Sequence, residues 1–86
     1  MRASHILVDT EVQAKAILED ASPLNFGQLA AQHSKCPSRQ AGGDLGEFSM
    51  GMMVKPFEDA TLATPVGNIS PPVRTQFGWH LIHRTA

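Results

Sequence analysis

Four histidines and a single cysteine carry the side chains most able to do chemistry near neutral pH: His5, His33, Cys36, His80 and His83. Three arrangements of these groups are conceivable: a metal site, a thiol nucleophile activated by imidazole, and a structural hydrogen-bond network. Zinc needs ligands at short, clustered spacing, such as a Cys-x-x-Cys pair. Here the cysteine is alone and the histidines are scattered, so no metal is expected. A Cys–His nucleophile depends on spatial geometry that spacing leaves open, and a lone cysteine also serves as a small buried apolar group. His5 and His80 each fall inside a short apolar run. Alternation puts His5 with Leu7 on one face, and His80 with Ile82 on one face, so a core role competes with a site role for both. His33 suits a helix C-terminus, where imidazole can meet free carbonyls, and His83 suits an edge of the last strand.

A second group is apolar: Met50, Met52, Met53, Phe57, Phe77 and Trp79. Methionine and aromatics near a helix start ordinarily fill a core. Met50 and Met52, however, flank Gly51 in a loop, a poor place for core filling. A flexible apolar loop of this kind suits an adaptable binding surface.

The elements that must position these residues follow from local pattern. Ala3 to Val8 is short, apolar and β-branched, and reads as a strand. Thr10 with Gln13 forms a capping-box pattern. Ala14, Ile17, Leu18 and Ala21 then line one face of a helix, with Glu11, Lys15 and Glu19 on the solvated face, and Ser22-Pro23 closes it. Asn25 with Gln28 gives a second capping-box pattern ahead of Phe26, Leu29, Ala30 and His33. Cys36-Pro37-Ser38 resists helix continuation. Gly42-Gly43 permits a tight bend before a short strand at Leu45 to Phe48. A Gly- and Met-rich loop over Ser49 to Met53 follows. Lys55-Pro56 opens a third helix with acids in its first turn. Ile69 to Arg74 is a strand interrupted by Pro71-Pro72, hence edge or bulged. Thr75 to Gly78 turns the chain into the last strand, Trp79 to Arg84. The order strand, helix, helix, strand, helix, strand, strand suits an α+β layer of helices on a mainly antiparallel sheet.

The 86 residues suffice for one domain, 1–86, and for no more. Only seven residues are Lys or Arg and the net charge is -1, which leaves no basic stripe for nucleic acid or an anionic membrane. One cysteine precludes an intrachain disulfide and fits a reducing compartment. No apolar run is long enough for a signal peptide or a membrane span. A monomer in the cytoplasm is expected, or an exported domain if the chain is cut from a larger protein.

Five blocks go further. They are Ser4-His5-Ile6-Leu7-Val8, His33-Ser34-Lys35-Cys36-Pro37-Ser38, Gly42-Gly43-Asp44-Leu45-Gly46-Glu47-Phe48, Met53-Val54-Lys55-Pro56-Phe57-Glu58-Asp59-Ala60, and Thr75-Gln76-Phe77-Gly78-Trp79-His80-Leu81-Ile82. In content and order the chain resembles the parvulins. The resemblance implies an FKBP-like α+β fold: a four-stranded, mostly antiparallel sheet wrapped by three to four helices. It implies peptidyl-prolyl cis–trans isomerase activity without cofactor or metal, on proline-containing peptides and protein clients. Carried over by motif, His5 and His80 are the paired central histidines, Cys36 takes the family's Cys/Asp position, and Thr75 supplies a supporting hydroxyl. Leu45, Met53, Phe57 and Phe77 match the apolar wall around the proline ring, and Gln76 joins them as a substrate-binding position.

Because the family also uses Asp at the Cys36 position, the thiol is expected to tune polarity and not to form a covalent adduct. Phosphate-directed parvulins carry a basic loop after the first strand. Here that connection is Asp9-Thr10 leading into Glu11, with no Arg or Lys cluster to pair a phosphate. An apolar residue before proline is therefore expected to be preferred over a phosphorylated one. Pro71-Pro72 and Trp79 depart from common family choices and are expected to reshape the groove rim. The competing function is a chaperone-like peptide-binding module with little isomerase activity.

Overall fold

In the computed structural model, which describes residues 1–49 and 51–86, the centre of the chain is one pair of long strands. β1 (Arg2–Val8) and β4 (Gly78–Arg84) run antiparallel in unbroken register from Ala3↔Arg84 to Val8↔Trp79. β2 (Asp44–Glu47) flanks β1 and β3 (Val73–Thr75) flanks β4, giving the order β2-β1-β4-β3 with every pairing antiparallel. Between them come three helices, α1 (Glu11–Asp20), α2 (Phe26–His33) and α3 (Lys55–Ala63), and a 3-10 segment at Pro37–Ala41. Among the described residues, no helix is long and apolar enough to cross a membrane.

Strand alternation sorts side chains into two cores, one on each face of the sheet. Ile6, Val8 and Leu81 pack with Ala14 and Ile17 of α1 and with Phe26 and Ala30 of α2. On the other face Ala3 and Ile82 pack with Phe48 and with Phe57 of α3. Directly opposed residues in an antiparallel pair share a face, so the pairs His5↔Ile82 and Leu7↔His80 put all four side chains on the α3 side.

The Thr10 box forms as its pattern predicts: Gln13 N–H donates to Thr10 Oγ1 at 3.2 Å, and Thr10 N–H donates to Gln13 Oε1 at 3.3 Å. The Asn25 box does not form. Asn25 makes no side-chain cap on α2. Its Oδ1 accepts the Ser22 N–H at 2.7 Å, and its Nδ2 donates to Asp20 O at 2.7 Å. The local turn after α1 competes for this side chain and wins.

The expected strand over 69–74 is also revised. Proline has no N–H for a ladder, so Pro71-Pro72 splits the segment. Ile69 keeps an isolated bridge to His83, Ser70 N–H donates to Ile82 O at 2.7 Å, and regular pairing resumes only at Val73. His83 lies on a central strand, not an edge; it pairs Ser4 and packs its ring 5.4 Å from that of Phe26. His33 occupies the last turn of α2 and is exposed. Trp79 packs on the α1/α2 side. It therefore faces away from His80 and does not shape the groove beside it.

Candidate active site

Five positions apart on the sequence, Thr75 and His80 flank the tight turn into β4, whereas His5 comes from the neighbouring central strand. The register places His5 and His80 diagonally on the same face, and their Nδ1 atoms lie 2.9 Å apart. The rings stack with centroids 5.1 Å apart and an 18° tilt. His80 Nε2 is 2.7 Å from Thr75 Oγ1, which also accepts the Phe77 N–H at 3.2 Å. His5 Nε2 is 3.2 Å from Ser38 Oγ.

All four ring nitrogens are therefore engaged, and the protons can be ordered in two neutral ways. In one, Thr75 O–H donates to His80 Nε2, His80 Nδ1–H to His5 Nδ1, and His5 Nε2–H to Ser38 Oγ. In the other every donation reverses. Both orders satisfy each nitrogen once as donor or acceptor.

His5 is 5% exposed and His80 4%. Burial disfavours the imidazolium and lowers both pKa values from 6.5 to about 4; for His5 the adjoining His80 adds charge repulsion. At neutral pH the pair is uncharged. Phe57, in the first turn of α3, sets its ring edge-on to both imidazoles, at 5.6 Å from His5 and 5.3 Å from His80.

Two backbone devices hold this arrangement. Gly43 O accepts the His5 N–H at 2.9 Å. Gly43 has φ 82°, and a Cβ there would sit 2.4 Å from His5 O, so only glycine lets the two backbones approach. Buried Ser34 accepts the Leu7 N–H at 3.1 Å and the Cys36 N–H at 3.3 Å, while Lys35 N–H donates to Leu7 O at 2.8 Å. These bonds fasten the Cys36 segment to β1. On the far side, buried Glu58 of α3 accepts the Gly51 N–H at 3.0 Å and anchors the methionine loop.

The result is a cavity of about 490 Å³. His5, His80 and Phe57 form its buried floor, and Leu45, Met53 and Val54 form one wall. Leu7, Lys35, Cys36 and Pro37 form the other. Met52 and Phe77 also line it while 66% and 60% exposed, which makes them its rim. Of the residues singled out in the sequence, His5, Cys36, Leu45, Met53, Phe57, Phe77 and His80 thus converge. Thr75 is buried behind His80. Gln76 is exposed and outside the lining, because the turn carries it outward. Met50 lies outside the described residues. Pattern reading missed Ser38 and Ser34, although both fall inside a quoted block; a serine hydroxyl 33 residues from its imidazole partner leaves no spacing signal. Among the described residues, no three His, Cys, Asp or Glu side chains group as metal ligands.

An apolar cavity floored by a neutral, fully hydrogen-bonded imidazole pair is suited to burying a small apolar group. Residues 5–86 match the family model of the PPIC-type PPIase domain, or rotamase. Foldase protein PrsA 4 of Bacillus cereus is 48% identical over 87 residues, covering 99% of this chain and 31% of that protein. The Arabidopsis thaliana peptidyl-prolyl cis–trans isomerase Pin1 is 50% identical over 76 residues, covering 86% and 64%. The solution structure of NmPin, the parvulin of Nitrosopumilus maritimus, superposes with a TM-score of 0.85 at 43% identity, covering 100% of this chain and 95% of that one. The chain belongs to the PPIC-type peptidyl-prolyl cis–trans isomerase family, the parvulins, and its sheet and helices are the parvulin fold. It is an isomerase domain spanning about a third of the length of the PrsA foldase it matches.

Proposed function

We propose that this domain isomerises X–Pro bonds without covalent chemistry, in peptides and in unfolded or flexible protein segments, and so assists folding. An apolar residue before proline is preferred over a phosphorylated one. The observation that carries this reading is the His5–His80 pair lying as an occupied, neutral floor beneath the apolar cavity.

The amide resists rotation by ~20 kcal/mol because its C–N bond has partial double-bond character. The planar amide is more charge-separated than the twisted one, so an apolar enclosure favours the twisted state relative to the planar one. Leu45, Met53, Phe57 and Phe77 would hold the proline ring while the acyl side turns. Lowering the barrier by about 6 kcal/mol accelerates rotation by roughly four orders of magnitude. With all four imidazole nitrogens engaged, the histidines shape the floor and set its polarity; proton transfer to substrate is not asked of them. Cys36, partly exposed at the wall, tunes that polarity and can offer a weak S–H donor to the rotating carbonyl.

The apolar preference is supported by the pairing with Asp9 of Lys35, the single cationic side chain in the cavity lining among the described residues. Turnover of Leu-Pro and phosphoSer-Pro peptides of otherwise identical sequence tests it; equal or faster turnover of the phosphopeptide contradicts it. Action as a cytoplasmic monomer, away from nucleic acid and membranes, belongs to the same proposal and rests on the net charge of -1 and the lone cysteine. Sedimentation and cell fractionation test it.

A further inference from the structure

The cavity lining holds one side chain with a permanent charge among the described residues, Lys35. Its position is set by two bonds to the β1 main chain: Lys35 N–H donates to Leu7 O at 2.8 Å, and the side-chain Oγ of the preceding Ser34 accepts the Leu7 N–H. Its ammonium pairs with Asp9, the residue directly after β1, and both side chains stay more than half exposed, at 55% and 59%. The pair is thus open to solvent and to whatever lies across the rim. We propose that Asp9 is a specificity-determining residue: by neutralising Lys35 it keeps the rim from selecting acidic residues next to the proline.

The inference rests on the isomerase reading and deepens it. The rotating bond joins residue X to proline, so X begins at the cavity itself. One residue of extended chain spans about 3.5 Å, which puts the X side chain at the rim and not far beyond it. An unpaired ammonium there would attract a carboxylate on X. An ammonium already shared with Asp9 gains little, because the incoming carboxylate only exchanges one partner for another. An exposed carboxylate–ammonium contact is weak and screened by salt, so the effect is a few-fold bias on substrate choice and not a switch.

The test compares kcat/KM for Glu-Pro and Gln-Pro peptides, which differ in charge and hardly in shape, at low ionic strength. The parent is expected to treat the two within about twofold. Asp9→Asn should raise the Glu/Gln ratio about threefold, and Lys35→Gln, which leaves the Asp9 carboxylate without its ammonium partner beside the cavity, should lower it about threefold. The double variant should return near the parent, and all differences should fade at high salt. A parent that already favours Glu-Pro overturns the proposal. So does an Asp9→Asn variant whose ratio is unmoved, or one whose ratio rises equally in the Lys35→Gln background. If the parent turns over neither peptide, the isomerase reading fails by itself. The same ratios are then read from NMR-titrated peptide dissociation constants, and the same three results overturn the role of Asp9.

Discussion

His5 and His80 face each other through their Nδ1 atoms at 2.9 Å, and each commits its remaining nitrogen to a hydroxyl, Ser38 for His5 and Thr75 for His80. One hydrogen bond in the centre therefore joins four side chains drawn from β1, the 3-10 segment, β3 and β4. No member can be removed without leaving a partner behind in a buried place.

Stability should show this coupling. His80→Phe strands His5 Nδ1 and leaves Thr75 Oγ1 with the Phe77 N–H as its remaining partner, and His5→Phe strands His80 Nδ1. Each orphaned buried group costs about 1–3 kcal/mol. The double variant removes both ends of the shared bond, so it should cost less than the two singles added, by about 1 kcal/mol or more. Urea midpoints of the four proteins measure it; costs that add within about 0.3 kcal/mol contradict the linked network.

Acid should weaken the fold earlier than carboxylate titration alone would. The unfolded histidines bind protons as pH falls through 6.5, while the folded pair resists until about 4. Between these limits the unfolded state carries more protons, so stability is full above 6.5 and is lost on the way down. One histidine lowered this far is worth up to ~3 kcal/mol. Melting temperatures should fall between about pH 7 and pH 5, where aspartates remain ionised. The His5→Phe/His80→Phe variant should have a flatter profile; an equally steep one removes the pair as the cause.

Cys36→Asp tests covalent chemistry. A residue that tunes polarity should leave kcat/KM within about tenfold of the parent, whereas losing an obligatory nucleophile costs on the order of 10⁴ or more. Complete loss of turnover in a folded Cys36→Asp protein restores the nucleophile.

Glu58 lies outside the cavity lining and positions the methionine loop by accepting the Gly51 N–H. Glu58→Ala should raise KM about three- to tenfold with little change in kcat, because a loosened wall must be ordered on binding. Glu58→Gln keeps an acceptor oxygen and should rescue KM to within about twofold. A general structural role would instead lower both parameters together, and Gln would not rescue.

The central architecture was legible because its signals are local. The Thr10 box, the α1 face and the runs at β1 and β4 need only neighbours within a few residues. Asn25 failed because two local bonds competed for one side chain, and β3 shrank because Pro71 and Pro72 cannot donate. The pairing of His5 with His80 spans 75 residues, and periodicity could say only which neighbours shared each histidine's face. Family motifs supplied their association. Ser34 and Ser38 stayed hidden for the same reason: hydroxyls act through distance, and distance across the sheet is not written in spacing. Gln76 sat within a matching block, yet its turn geometry directs it to solvent.

The central claim is that the cavity above His5 and His80 turns X–Pro bonds. NMR exchange spectroscopy on a Leu-Pro peptide, with the domain present in catalytic amount and its own amide shifts followed in parallel, tests it without a coupled protease. Cis–trans exchange cross-peaks should appear only with the domain, together with shift changes centred on Met53, Phe57 and Phe77. Shift changes at those residues without any gain in exchange would contradict it and leave a peptide-binding module.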